Sequence, residues 1–338
     1  MRVLIISHYN PGVFEYGGLA TFVRNLSEAL KDMGHAVHYI SVSPTLARSY
    51  SMVRLAPSGF DPRELDLRLH EVVRYCVDYD GMYDVIIAND YFSPCVVRES
   101  RLVAYIHTFA GSPWELLTIS YANRVATSSK MFKSMIEPLV RYVRQITSPW
   151  TGKDAGKEVE VLYPPPPQPP KDVVKPREEI GQEPVLCYVG RMQAHKNFGM
   201  FRKLVEDLGA AGLVISHDTG NYVEECGKGK IYYNGNVLEE VKWGLMTQCD
   251  LGVVPSLFEP YGLVALEFVR AGVPVIVSRN CGVVEVLNPI TFDPTKYDDL
   301  LKATKEALKR RDAYLLELAS RPIMKKKWSN LADELIRT

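Results

Sequence analysis

The sequence predicts an α/β protein of two doubly wound lobes, each built around a parallel sheet. Short runs rich in β-branched residues alternate with amphipathic helical patterns from the first residue onward, which is typical of β-α-β units. A proline-rich run near the middle of the chain interrupts this alternation, which then resumes. A chain of 338 residues also has room for two domains of about 100–200 residues each. Such sheets bind ligands beyond the carboxyl ends of their strands, so functional residues are expected in the loops that follow strands, facing a cleft between the lobes.

The first half of the chain supplies five strand candidates and one well-marked helix. The strand candidates cover residues 3–6, 37–42, 85–88, 103–106 and 124–127. Residues 19–33 repeat apolar side chains at helical spacing, at Phe22, Val23, Leu26 and Leu30. Gly34 follows directly, where a left-handed C-terminal cap is expected.

The proline run at residues 164–170 cannot form a helix or a central strand. Its position favours a semi-rigid linker between domains over a surface loop within one domain. Strand candidates follow at 185–189, 212–216, 231–233, 251–254 and 273–277, and closing helices at 298–309 and 312–320. We therefore predict an N-terminal lobe at 1–163, a linker at 164–170, a C-terminal lobe at 171–315 and a helical segment at 316–338. Whether that segment packs back on the N-terminal lobe stays open.

Composition narrows the class of protein. There are 40 Lys and Arg residues against 40 Asp and Glu residues, and this zero net charge argues against a nucleic-acid partner. No apolar run approaches the roughly 18 residues of a membrane span, and the N-terminus lacks the pattern of a signal peptide. The six cysteines form no C-x-x-C pair, so we expect reduced, mostly buried thiols in a cytoplasmic protein.

The first loop of interest runs from residue 7 to residue 18 and ends in Gly17-Gly18, where a helix begins. Glycines there let backbone N–H groups approach an anion, and the helix N-terminus adds partial positive charge. A turn that merely starts a helix would look the same. The loop lacks G-x-G-x-x-G, so a dinucleotide site is poorly supported.

The second loop follows the strand at 185–189 and begins with Gly190. Arg191 and Lys196 lie five residues apart in it, at a predicted helix start. A guanidinium can grip phosphate oxygens bidentately and an ammonium adds a point charge, so the pair suits a diphosphate. The alternative is two solvated surface cations. The position after a strand favours the functional interpretation.

The third segment follows the strand at 251–254 and carries two carboxylates. Glu259 lies in a loop with proline and glycine, and Glu267 lies within a helix that starts near Leu263. Each carboxylate can accept hydrogen bonds from sugar hydroxyls, and the N–H groups around Gly262 could bind a phosphate. The alternatives are a solvated loop charge for Glu259 and a helix-dipole partner for Glu267.

Residues 259–267 also form a Glu-x7-Glu pattern that opens with Glu-Pro-Tyr-Gly-Leu. This pattern resembles the signature of retaining GT-B glycosyltransferases, specifically of glycosyltransferase family 4 (glycosyl transferases group 1). Further similarities follow the family's order at residues 17–18, 34–35, 189–196, 271–276 and 282–285. The resemblance covers nearly the whole chain.

The resemblance implies a GT-B fold, with two Rossmann-like lobes facing a central cleft. It implies a retaining, metal-independent hexosyltransferase whose C-terminal lobe binds a UDP-, GDP- or ADP-sugar and whose N-terminal lobe binds a glycan, lipid or small-molecule acceptor. No further cofactor is implied, and no D-x-D segment stands where one would hold a metal. A same-face mechanism, in which the leaving phosphate assists deprotonation of the acceptor, is the family expectation.

The resemblance also assigns roles to individual residues. Arg191 and Lys196 correspond to the positions that hold the donor diphosphate. Glu259 corresponds to the carboxylate near the donor sugar, and Glu267 to the one that binds the ribose. His107 corresponds to an N-terminal-lobe histidine near the reacting sugar, although a lone histidine is often structural. The remaining donor-binding positions are Gly17, Gly18, Gly190, Asn236, Val237, Tyr261, Gly262 and Leu263.

Two departures from the family pattern affect what it implies. Tyr163 and prolines stand where relatives often have an Asn-Gly turn, which leaves the linker geometry and lobe closure open. Cys281 stands where the family usually has the first glycine of a pair, next to the expected donor sugar.

Residues 130–147 form a basic stretch with apolar side chains at helical spacing, interrupted by Pro138. Peripheral contact with the cytoplasmic membrane face is one interpretation, and packing against the sheet is the favoured one. Neither this stretch nor any other feature indicates an oligomeric state.

The leading hypothesis is a nucleotide-sugar-dependent retaining glycosyltransferase. A non-catalytic nucleotide-sugar binding protein would lack donor turnover, and a GT-B-shaped sugar-nucleotide epimerase would convert the donor without an acceptor. A dehydrogenase fits least, because the glycine fingerprint is absent.

Overall fold

The computed structural model describes residues 1–7, 17–41, 62–90, 92–109, 111–174, 180 and 184–337. The chain divides into two compact units. Unit 1 comprises Met1–Pro164 together with Lys327–Thr338, and unit 2 comprises Pro165–Lys326. The first boundary therefore lies inside the proline run, and residues 316–326 belong to unit 2.

The described strands are β1 (Arg2–Ser7), β2 (Ala36–Ser41), β3 (Val85–Asn89), β4 (Arg101–Ile106), β5 (Arg124–Thr127), β6 (Glu160–Val161), β7 (Val185–Val189), β8 (Ala211–Ile215), β9 (Tyr222–Cys226), β10 (Gly229–Asn234), β11 (Leu251–Val254), β12 (Val275–Ser278) and β13 (Thr291–Phe292). The described α-helices are α1 (Gly18–Asp32), α2 (Pro62–Asp78), α3 (Pro113–Tyr121), α4 (Lys130–Thr151), α5 (Phe198–Leu208), α6 (Glu239–Met246), α7 (Leu263–Arg270), α8 (Val284–Leu287), α9 (Tyr297–Lys309), α10 (Arg311–Ala319), α11 (Pro322–Lys325) and α12 (Trp328–Ile336).

Unit 1 contains a six-stranded sheet in the order β2-β1-β3-β4-β5-β6, and every described pairing in it is parallel. The sequence-predicted strands in this half all fall on strands of this sheet. The four apolar side chains that predicted α1 are each 0% exposed, so the helix packs with the expected face. Gly34 has φ of 81°, which confirms the left-handed cap.

Unit 2 contains a seven-stranded sheet in the order β13-β12-β11-β7-β8-β10-β9. Its pairings are parallel except for β9, which pairs antiparallel with β10. The β-α-β rhythm did not predict this hairpin. Gly227 explains it, because a two-residue turn between antiparallel strands needs positive φ and Gly227 has φ of 60°. The doubly wound prediction is otherwise confirmed.

The last helix, α12, packs against α1 within unit 1. The Trp328 ring meets the edge of the Phe22 ring, with centroids 5.5 Å apart. The Arg124 guanidinium donates to the carbonyls of Glu334 and Leu335 at the end of α12, at 2.8 and 3.2 Å. These contacts fasten the chain terminus to the sheet of unit 1.

Two local expectations are wrong. Pro138 does not interrupt the helix, because α4 runs continuously through it and Pro138 lies on its exposed side. Cys76 and Cys95 form a disulfide, whereas the other four cysteines are free and buried, so the prediction of six reduced thiols fails for that pair. Among the helices of the described ranges, none is long and apolar enough to cross a bilayer.

Candidate functional site

The candidate site in unit 2 lies where β7 and β11 end. Gly190 follows β7 with φ of 156°, and its N–H donates to the Ile215 carbonyl at 3.1 Å. The chain then forms a short 3-10 turn at Ala194–Lys196 before α5 begins. The Leu257 N–H donates to the His195 carbonyl at 2.7 Å, which ties the loop after β7 to the loop after β11. Two loops identified separately in the sequence therefore meet.

Lys196 and Glu259 meet at this junction. The Lys196 ammonium donates to Glu259 Oε1, and the Ser256 hydroxyl donates to the same oxygen at 3.2 Å. The two side chains are 21% and 14% exposed. Burial and the hydrogen bond from Ser256 hold both side chains in place. When a phosphate binds, the Lys196 ammonium can donate to it instead of to Glu259. Ser256 was not identified from the sequence.

Arg191 lies on the same loop, five residues before Lys196, and is exposed. The Tyr188 hydroxyl donates to the Arg191 carbonyl at 2.7 Å, and the neighbouring Met192 N–H donates to the Asp218 carboxylate at 2.8 Å. Within the part of the chain that the structure describes, the guanidinium makes no ion pair. Its backbone is therefore fixed while its charged head is available to an anion.

Two histidines lie near these charges and have lowered pKa values. Burial is the main cause of the lowered pKa of His195; the positive charges of Lys196 and Arg191 add to the shift, and the Glu259 carboxylate opposes it. Burial is also the main cause of the lowered pKa of His217, where the Asp218 carboxylate opposes the shift and Arg191 adds to it. Burial therefore favours the neutral form of both imidazoles.

The N-terminus of α7 lies at the end of the loop that carries Glu259. Gly262 is its N-cap with φ of 100°, no side chain caps the helix, and no acidic residue stands in its first turn. The Tyr261 carbonyl accepts from the Val283 N–H at 2.7 Å, which holds this turn against the loop after β12. Backbone N–H groups at such a helix start bind phosphate.

Glu267 lies further along α7 and is buried. Its Oε1 accepts from the Lys242 ammonium at 3.1 Å, and Lys242 also contacts Glu239 at 3.0 Å. Lys242 was not identified from the sequence. The signal was a lone lysine inside the apolar run of α6, since buried charges are almost always paired.

Asn236 and Val237, two of the expected donor-binding positions, follow β10. The Gly235 N–H donates to the Asn221 side-chain carbonyl at 2.7 Å, and a Cβ on Gly235 would overlap the Thr219 carbonyl oxygen. Asn236 is exposed with φ of 52°, and Val237 is half-buried. Only glycine fits at 235, so the turn has a fixed shape.

In unit 1, Gly17 is the N-cap of α1 with φ of 119° and Gly18 is its first residue. The rest of the loop, residues 8–16, lies outside the described residues. The glycines therefore stand at a helix start, as predicted.

His107 follows β4 and is held by the residues that follow β3. Its Nε2 lies 3.1 Å from Asn89 Oδ1, and Asn89 Nδ2 donates to the Ile6 carbonyl at 3.1 Å. Asn89 therefore presents an acceptor, which puts the imidazole proton on Nε2 and leaves Nδ1 as an acceptor. The Phe22 ring packs edge-on against the imidazole, with centroids 4.4 Å apart, and burial lowers the pKa of His107 to about 3.

Asp90 completes this cluster and was also missed in the sequence. One carboxylate oxygen accepts from the N–H groups of His107 and Thr108, both at 2.8 Å. Its backbone has φ of 60°, which is uncommon for a residue other than glycine. Burial raises its pKa to about 7 despite these hydrogen bonds. Asn89 and Asp90 end a parallel strand, which is the signal that could have found them.

Two doubly wound units, one with cationic side chains and an uncapped helix start at the carboxyl ends of its strands, define a class of α/β protein that binds ligands at those strand ends. Comparison with known proteins narrows this class. Residues 171–327 match the family model described as Glycosyl transferases group 1, and residues 16–149 match the model described as Glycosyltransferase Family 4.

An uncharacterized glycosyltransferase of Methanocaldococcus jannaschii is 29% identical over 393 residues, covering 99% of this chain and 97% of the relative. Sucrose-phosphate synthase from Thermosynechococcus elongatus matches with a TM-score of 0.71 at 18% identity, over 99% of this chain and 97% of that chain. The catalytic domain of starch synthase IV from Arabidopsis thaliana, bound to ADP and acarbose, matches with a TM-score of 0.68 at 13% identity, over 99% of both chains. The chain is a GT-B glycosyltransferase family 4-like protein.

Proposed function

We propose that the protein is a retaining glycosyltransferase that moves a sugar from a nucleotide-diphosphate sugar to an acceptor hydroxyl. The contact among Lys196, Glu259 and Ser256 carries this proposal, together with Arg191 on the same loop as Lys196. It supplies two cations for a diphosphate and a carboxylate for a sugar, on loops that contact each other directly. The starch synthase IV structure that this fold resembles contains ADP, which supports a nucleotide at such a fold.

The proposed chemistry follows from these charges. The bond between the anomeric carbon and the diphosphate oxygen breaks, and the acceptor oxygen bonds to the same face of that carbon. The acceptor proton passes to the leaving phosphate. Arg191, Lys196 and the start of α7 stabilise the negative charge that grows on that phosphate, so we propose that no divalent metal is needed. Glu259 accepts from sugar hydroxyls and, by its charge, favours the oxocarbenium-like sugar.

We assign the donor nucleotide to unit 2. Glu267 would accept hydrogen bonds from the ribose hydroxyls. Tyr261, Gly262 and Leu263 would bind the donor through their backbone, and Gly190 keeps the loop after β7 open to it. Asn236 and Val237 would line the base. A cytoplasmic nucleotide sugar is the proposed substrate, with no other cofactor.

We assign the acceptor to unit 1, where Gly17 and Gly18 would approach a phosphate or the acceptor. His107 would contact the sugar as a neutral ring, because a pKa of about 3 keeps it unprotonated near pH 7. Its proton on Nε2 is engaged with Asn89, so Nδ1 is the atom that could accept from a hydroxyl.

A lipid surface is the proposed location of the acceptor. Four large apolar side chains on one face of α4 are exposed by about half or more: Met135, Tyr142, Ile146 and Trp150. Arg141, which precedes Tyr142 in the chain, is also exposed. The apolar residues that indicated packing, including Phe132 and Ile136, are buried instead. Aromatic side chains with a flanking cation suit anionic headgroups. Vesicles with anionic lipid should co-sediment the wild type and leave Trp150→Ala in solution. Equal sedimentation of both would contradict this proposal.

The test of the proposed function is donor turnover. Slow release of free nucleotide from one of the UDP-, GDP- or ADP-sugars is expected for the wild type, and it should fall about hundredfold or more in Lys196→Ala and in Glu259→Ala. Lys203→Ala is the matched control, because Lys203 pairs with Asp207 on the exposed side of α5. Near wild-type turnover in both site variants would refute the assignment.

A further inference from the structure

Lys242 carries a buried charge that the proposed chemistry does not use. The residue is 9% exposed, and its ammonium lies 3.0 Å from Glu239 Oε1 and 3.1 Å from Glu267 Oε1. It thereby bridges α6, which it belongs to, and α7, which carries Glu267. Burying a lysine costs free energy unless its charge is paired, so the two carboxylates offset the cost of burying Lys242.

The position of the ammonium is fixed from its own helix. The Trp243 indole N–H donates to Glu239 Oε2 at 3.2 Å, which orients that carboxylate toward the lysine. The ammonium also lies 5.7 Å from the centre of the Trp243 ring, within reach of a cation–π contact. Burial alone would lower the pKa of Lys242, but Glu267 and Glu239 outweigh it and raise the pKa, so the lysine stays charged.

Glu267 depends on such a partner. Its side chain is 6% exposed and its neighbours in α7, including Leu266 and Phe268, are 0% exposed. In apolar surroundings a carboxyl group without a cation favours its neutral form. A neutral carboxyl carries a donor of its own, whereas an ionised one only accepts, with room for about four hydrogen bonds. Ribose hydroxyls need acceptors, so the charge state of Glu267 decides how well it binds them.

We infer that Lys242 is a positioning residue that holds Glu267 ionised and in one orientation for the ribose hydroxyls of the donor nucleotide. This inference rests on the proposed function, because it assumes that Glu267 meets the ribose. Lys242 itself would not touch the donor. The competing explanation is that the ion pair between Lys242 and Glu267 only stabilises the packing of α6 against α7.

The experiment compares ribonucleotide with 2′-deoxyribonucleotide binding by isothermal titration calorimetry. UDP, GDP and ADP are titrated first, and the one that binds the wild type most tightly is compared with its 2′-deoxy analogue. The wild type should favour the ribonucleotide by roughly ten- to hundredfold, the value of a hydrogen bond to a charged group. Lys242→Met should reduce this preference to about threefold or less. Lys242→Met/Glu267→Gln should be no worse than Glu267→Gln, since the two residues act through one contact.

Arg311→Met is the matched control, because Arg311 pairs with Asp250 elsewhere in unit 2 and should keep the full preference. If Lys242→Met does not fold, Lys242→Met/Glu239→Gln also removes one of the two carboxylate charges that Lys242 neutralises and should show the same loss. If Lys242→Met melts at a lower temperature but keeps the wild-type preference for the ribonucleotide, the inference is overturned and the ion pair is purely structural. A preference retained in Glu267→Gln would instead refute the ribose assignment within the proposed function.

Discussion

Gly252 lies in β11 directly under α7, the helix that carries the candidate donor-binding residues. A Cβ built on Gly252 would lie 2.6 Å from both Cγ and Cδ2 of Phe268 and 2.8 Å from Cδ1. Phe268 is 0% exposed, so its ring has no space into which to turn. In Gly252→Ala, α7 must therefore move away from the sheet or the sheet must distort.

The cost follows from this overlap. Forcing an extra methyl group into a packed core costs about 1–3 kcal/mol, and the rigid aromatic neighbour places Gly252→Ala at about 2 kcal/mol or more. For a unit of this size, each kcal/mol lowers the melting temperature by about 2–4 °C. Scanning calorimetry should show a drop of about 4–8 °C. Nucleotide affinity should fall as well, because Gly262 and Glu267 move with α7.

Gly199→Ala is the matched control. Gly199 lies in α5, and a Cβ there would meet nothing within 4 Å. Since glycine weakens a helix by about 0.5–1 kcal/mol relative to alanine, this variant should melt slightly higher than the wild type. A Gly252→Ala protein that melts like the wild type would refute the packing of β11 against α7.

Two further predictions concern unit 1. The pKa of Asp90 is raised from 3.8 to about 7 in the folded protein, so the folded protein holds a proton on Asp90 that the unfolded chain releases at lower pH. The contribution of Asp90 to stability is therefore fully present at acidic pH and is lost as pH rises through about 7. In urea titrations, the free energy of unfolding of Asp90→Asn should therefore increase relative to that of the wild type between about pH 4 and pH 8. The opposing effect of His107 is present in both proteins and cancels in this difference. A difference that does not change with pH would contradict the prediction. Reducing the bond between Cys76 and Cys95, which are 19 residues apart, should lower the free energy of unfolding by about 3 kcal/mol. Denatured but unreduced protein should show four reactive thiols, and six would contradict the disulfide.

Local pattern was enough to predict much of the fold. The face of α1 could be read from the sequence because helical spacing and burial coincide at Phe22, Val23, Leu26 and Leu30. Five of the six described strands of unit 1 were equally clear, since they are short and bounded by turn residues, whereas the two-residue strand β6 was not predicted. The hairpin of β9 and β10 was not, because a single glycine at 227 decides it.

The candidate site divides in the same way. Lys196 and Glu259 each lie in a loop that follows a strand, so each could be identified from the sequence separately. The structure adds that the two side chains form an ion pair. Lys242, Asn89 and Asp90 each carried a local signal, but their partners Glu267 and His107 are distant in sequence, so the contacts themselves could not be read from a local pattern. The disulfide was missed for the same reason, since spacing does not determine which cysteines meet in three dimensions.

The central claim is that unit 2 binds a nucleotide-diphosphate sugar through Lys196 and its neighbours. The most direct measurement is a thermal-shift panel of UDP-, GDP- and ADP-sugars on the wild type and on Lys196→Ala. A ligand that binds only the folded state raises the melting temperature in proportion to the logarithm of its concentration. At least one donor should stabilise the wild type, and this shift should be lost in Lys196→Ala. No shift with any donor, or an equal shift in both proteins, would contradict it.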